Sequence, residues 1–194
     1  MSINNFVTCP VNCNDTVALG AILTLQDCTT YEQKYSQVKS IILTPDGQAA
    51  PFNWASAPTI TIVSGEIDNT TTNGTKSKWL VGEGGIPAAE KVVDEYPGRK
   101  TRTSFRTYTL TFNVKNLSQA QYDFLRLLQC GVTDFKLWYE TVGGHLFGGA
   151  NGVDISGLDV DFIYGEGRDD KEYATITINW EADGDPPRGV SPLA

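Results

Sequence analysis

Residues 103–141, TSFRTYTLTFNVKNLSQAQYDFLRLLQCGVTDFKLWYET, hold a long strand, a capped helix and a second strand in direct succession. In the first part Tyr108, Leu110, Phe112 and Val114 alternate with Thr107, Thr109, Thr111 and Asn113, the period-two pattern of a strand with one packed face. The period then changes to that of a helix. Ser118 and Gln121 form an S-x-x-Q capping box, and Leu117 and Tyr122 are spaced as a hydrophobic staple, so a helix is predicted from Gln119. Tyr122, Phe124, Leu125, Leu127 and Leu128 supply its apolar stripe, and Gly131 stands where a left-handed residue would end it. Phe135, Leu137 and Tyr139 then alternate with Lys136, Trp138 and Glu140, which predicts a half-buried strand over 134–141.

Toward the C-terminus, Leu158, Val160, Phe162 and Tyr164 alternate with Asp159, Asp161 and Ile163. After a turn over 165–170, Ala174, Ile176, Ile178 and Trp180 alternate with Thr175, Thr177 and Asn179. The β-branched and aromatic residues of both runs suit a pleated surface in an antiparallel sheet. Toward the N-terminus, 38–43 and 59–63 read as strands separated by a loop with Pro45, Gly47, Pro51 and Pro58. Residues 65–99 shift to Thr, Gly, Lys and Glu and read as a long polar loop or hairpin. Loops of that length are usually functional or disordered, and Trp79 and Tyr96 within it favour a contact role. The Gly- and Pro-rich residues after Trp180 predict an extended or disordered arm. The chain thus reads as mainly β, an antiparallel sandwich or barrel with one flanking helix over 118–130. An N-terminal segment (1–36) precedes a single domain (37–181) with an insertion (65–99), and a C-terminal arm (182–194) follows.

The long strand carries a further clue. Followed backward, its core phase passes from Leu110 and Tyr108 through Arg106, Ser104 and Arg102 to Lys100, so one face turns from apolar to basic. Two readings stand: a solvated strand end, or an arm that pairs with a neighbouring subunit.

Composition narrows the function classes. With 194 residues, 40% of them hydrophobic, the chain can bury a core, and a net charge of −8 argues against wrapping a phosphate backbone. Cys9, Cys13, Cys28 and Cys130 lack the repeated C-x-x-C spacing of a zinc site, and His145 is the single histidine. Reduced thiols are expected, with a Cys9–Cys28 or Cys13–Cys28 bridge as the alternative if the product ends outside the cell. No basic residue precedes Lys34 and the apolar run 17–25 is too short to span a bilayer, so synthesis and folding in the cytoplasm without membrane association are expected. No nucleophile elbow, P-loop or dinucleotide fingerprint occurs. His145 lies in V-G-G-H-L-F-G-G and reads as a turn residue. Asp154, Asp159 and Asp161 have the residue types of a calcium site or a hydrolytic carboxylate pair, but two acids on the outward phase of a strand read first as a solvated face. A non-enzyme with no metal and no cofactor is expected.

A sheet-rich domain with one helix after a long strand, a long polar insertion, extended termini and an acidic outward phase resembles the phage tail tube, or major tail, protein family. The resemblance rests on architecture over 59–180 and implies a virion structural protein of the tail, made in the host cytoplasm. Its subunits would form rings, commonly hexameric, which stack into a tube through a hairpin and a terminal arm, meet other virion proteins, and pass DNA without binding it specifically. Carried onto this chain, Trp79, Tyr96, Lys100, Arg102 and Arg106 become candidates for the stacking contact. Asp159 and Asp161 become candidates for an acidic lumen or a ring contact. Other virion roles (head decoration, tail terminator, connector ring) share these features. A carbohydrate-binding sandwich remains the rival from another class, with Trp54, Trp79 and Trp138 as stacking platforms.

Overall fold

The computed structural model describes residues 37–56, 59–67, 76–94, 102–130, 134–164 and 172–193. The strands are β1 (Val38–Pro45), β2 (Phe52–Ser56), β3 (Thr59–Ile62), β4 (Lys78–Gly85), β5 (Glu90–Asp94), β6 (Arg102–Lys115), β7 (Phe135–Thr141), β8 (His145–Phe147), β9 (Val153–Asp154), β10 (Gly157–Ile163), β11 (Tyr173–Ala182) and β12 (Arg188–Val190). Among the described residues there is one helix, α1 (Gln119–Gln129), between β6 and β7. The strand path runs β10-β11-β6-β4-β1-β7-β8-β12-β3-β2, with β5 beside β6 and β9 beside β7. All pairings between these strands are antiparallel except β12 with β3. The fold is mainly β, as the alternation predicts, and the sheet is sandwich-like.

Two apolar clusters explain its shape. The larger joins the even residues of β6 and β11 (Leu110, Phe112, Ile176, Ile178, Trp180) to the odd residues of β1 and β7 (Ile41, Leu43, Leu137, Tyr139). Strands separated by several places in the path thus share one core, so the sheet curls around it, and Leu125 and Leu128 of α1 plug the remaining side. The smaller cluster is Ile42, Phe52, Ile60, Trp138 and Leu146, on the opposite face of β1 and β7 beneath β2 and β3.

The helix forms as its sequence dictates. Ser118 Oγ accepts from the Gln121 backbone N–H, and the Gln121 side chain accepts from Ser118 N–H at 3.0 Å. Gly131, the predicted stop, lies outside the described residues.

Three expectations are corrected. The strand over 134–141 is not half-buried: Trp138 and Glu140 are as buried as Leu137, because the second layer covers the face that alternation assigned to solvent. The 65–99 segment is not one long polar loop, since β4 lies within it between β1 and β6, and β5 pairs with β6. The glycines that suggested a loop allow close approach: a Cβ at Gly84 would fall 2.6 Å from the Phe112 ring. Finally, the C-terminal segment is neither a free arm nor strandless. β11 extends to Ala182 and β12 enters between β8 and β3, with Pro186 and Pro187 placed before β12, where no ladder N–H is required.

The two classes of leucine on α1 make the packing testable. Leu125→Ala should cost about 2–5 kcal/mol and Leu127→Ala, more than half exposed, about 0.5 kcal/mol or less. Urea unfolding of both variants measures the difference.

Candidate assembly surfaces and the sheet mouth

β6 is longer than the sheet that holds it. One edge pairs with β11 from Arg106 to Lys115, while the other pairs with β4 at Thr111–Asn113 and with β5 from Arg102 to Thr107. Among the described strands Arg102 to Phe105 therefore pair only with β5, and β5–β6 forms a two-stranded arm reaching about 13 Å past the sheet. The register slips between Val92 and Val93, leaving Ser104 as the extra residue on β6. Such a bulge sharpens the local twist. Val92 and Val93 are 39% and 46% exposed on this arm.

Of the candidate contact residues, the backbone of Arg102 lies on the arm and Arg106 at its root, whereas Tyr96 and Lys100 lie outside the described residues. Trp79 is not on the arm. It sits in β4, half-buried against the smaller core cluster, because β4 is an interior strand.

At the root of the arm the sheet opens into a cleft of about 850 Å³. It is bounded by the start of β1, the β4–β5 connection, the ends of β6 and β7, β8 and the C-terminal segment. Beneath it, Tyr108 stacks on Trp180 (ring centroids 5.2 Å) and Tyr139 on Phe147 (4.9 Å). Tyr108 donates its hydroxyl proton to Asp185 Oδ1 at 2.8 Å, and Arg106 Nη1 lies 3.8 Å from the same oxygen. Burial, then hydrogen bonding to Asp185, pushes the Tyr108 hydroxyl up to about 12. Burial raises Tyr139 further still. His145 opens β8 after the predicted tight turn and donates from Nδ1 to the Gly143 carbonyl at 2.8 Å.

The acidic strand has a different character. In β10 the Asp159 carboxylate accepts from the Val160 N–H at 3.0 Å, and the Gln129 side-chain amide donates to the Val160 carbonyl at 3.1 Å. Both backbone groups of Val160 on the edge away from β11 are thus occupied by side chains. Asp159 and Gln129 block strand addition at the centre of an edge that no described strand pairs with. Asp161 is exposed beside it. Asp154 pairs instead with Lys136 at 2.9 Å, so the three aspartates do not converge, and among the described residues no group of three His, Cys, Asp or Glu gathers. Cys130 is a free, exposed thiol, while Cys9, Cys13 and Cys28 lie outside the described residues.

None of the four tryptophans is exposed: Trp138 and Trp180 are fully buried, and Trp54 and Trp79 are half-buried. Lys91, Asp185 and Arg188 of the mouth, and Gln129 of the β10 guard, escape a reading by strand period alone. The usable signal was the core phase of Tyr108 and Tyr139, because a buried tyrosine hydroxyl needs a partner. No protein-family model matches the chain, and no curated protein matches it. Among the described residues, no helix is long and apolar enough to cross a membrane.

Two outcomes follow from the geometry. Asp159→Ala should speed exchange of the Val160 amide by roughly tenfold, the effect of losing about 1.4 kcal/mol of protection; unchanged exchange by NMR would contradict the guard. The second concerns alkaline pH. A tyrosine whose folded pKa is raised stabilises the fold fully below about 10, its unfolded value. For Tyr108 that contribution is lost as pH rises through about 12. Melting temperatures between these limits should therefore fall less steeply for Tyr108→Phe than for the wild type.

Proposed function

We propose that this protein is a virion structural subunit of a phage tail tube, one that joins copies of itself into stacked rings around a DNA conduit. The observation that carries the reading is the β5–β6 arm: among the described strands Arg102 to Phe105 pair only with β5, and Val92 and Val93 lie exposed on it. A two-stranded ribbon with apolar side chains in water is marginal in isolation and is stabilised when a neighbour covers it. Contact through an arm and a different receiving surface is head-to-tail, the symmetry class that yields closed rings or continuing filaments.

Charge supports the same reading. A net charge of −8 disfavours adhesion to DNA, which suits a wall past which DNA slides. Localisation in the virion and partnership with other virion proteins follow from the proposal, and the role is structural rather than enzymatic. The guarded edge of β10 removes one sheet edge as a joining surface and leaves the arm as the stronger candidate.

The test is a paired substitution on the arm. In the full chain, Val92→Asp with Val93→Asp should leave the melting temperature within a few degrees of wild type, since both side chains are exposed. Sedimentation should then show wild type as large species and the variant as a monomer. Wild-type and variant particles of equal size would remove the arm from assembly.

A further inference from the structure

Lys91 of β5 and Arg106 of β6 are directly opposed across the strand pair. Like charges in that position destabilise a ribbon, and Arg188 brings a third cation to the same cleft. The carboxylate lining the cleft is Asp185, which also accepts from Tyr108. Arg106 Nε is buried and has no hydrogen-bond partner. In a chain of net charge −8 this is a local surplus of positive charge around an unused donor. The walls differ in character: Phe147 and the Ile86–Ala89 connection give the cleft an apolar side, and its volume of about 850 Å³ is within the range of small-molecule sites.

We propose that the mouth of the sheet is a binding site for an organic anion with a flat apolar body. Its acid group is held by Arg106, Lys91 and Arg188, and its body lies against Phe147 and the Ile86–Ala89 connection. The anion relieves the repulsion between Lys91 and Arg106 and supplies an acceptor for the guanidinium, a charge-assisted interaction stronger than its neutral counterpart. The site does not depend on tube formation.

Anilinonaphthalene sulfonate, a fluorescent aromatic anion, tests this on the full chain, with phenylnaphthylamine as its uncharged analogue. A second apolar cleft, between α1 and β4 and bordered by Leu127 and Val81, provides the internal control. The anion should bind at one site, and Arg106→Ala should weaken it by about tenfold, equivalent to about 1.4 kcal/mol. Leu127→Asp should leave its affinity unchanged, and the neutral analogue should bind more weakly and ignore Arg106→Ala. If Arg106→Ala does not fold, Lys91→Ala with Arg188→Ala, both at exposed positions, should weaken binding by a similar factor. No binding, equal affinity for the uncharged analogue, or loss on Leu127→Asp with none on the cation variants would overturn the proposal.

Discussion

Strands β1 and β7 are covered on both faces, and the rest of the molecule is arranged around that requirement. Ile41, Leu43, Leu137 and Tyr139 face the core closed by β6, β11 and α1, while Ile42 and Trp138 face the second layer. Three polar contacts tie the layers together: Ser40 donates to Glu140 at 3.0 Å, Lys39 Nζ lies 3.0 Å from the other oxygen of that carboxylate, and Thr44 and Ser77 share a hydrogen bond of 2.7 Å. Removing one partner would leave a buried group unpaired, which costs more than the bond itself contributes. Curling one sheet around the larger core also opens its mouth beside the root of the β5–β6 arm, so packing, cleft and arm share one cause.

What the sequence reveals depends on whether a strand has one dry face. β6, β10 and β11 alternate cleanly, and α1 is announced by its capping box. β7 alternates too, but Trp138 and Glu140 mark a second packed face that looks like a solvent face on paper. A polar residue inside such a strand is legible only once its partner is known, and Glu140 meets Ser40 from one hundred residues away in sequence. β4 was hidden by its glycines. Gly82 and Gly84 resemble loop punctuation, yet they stand where the Phe112 ring and the β6 backbone leave no room for a Cβ.

The same limit applies to the candidate residues. The basic phase through Arg106, Ser104 and Arg102 runs along one strand, and β6 does extend past its pairing with β11 and β4. The meeting of Arg106, Lys91, Asp185 and Arg188 depends on the C-terminal segment folding back over the sheet, which no local period encodes. Asp159 was singled out for its charge, whereas its hydrogen bond to the Val160 amide follows from β10 being an edge strand. A carboxylate on an edge strand is one of the devices that bar further strands.

Assembly of the proposed kind requires the arm of one copy to be received by another. Negative-stain electron microscopy of the purified full-length protein over a rising concentration series addresses this most directly. Rings, or hollow tubes with a bore wide enough for duplex DNA, are the predicted result. A single population of isolated monomers at every concentration would contradict it.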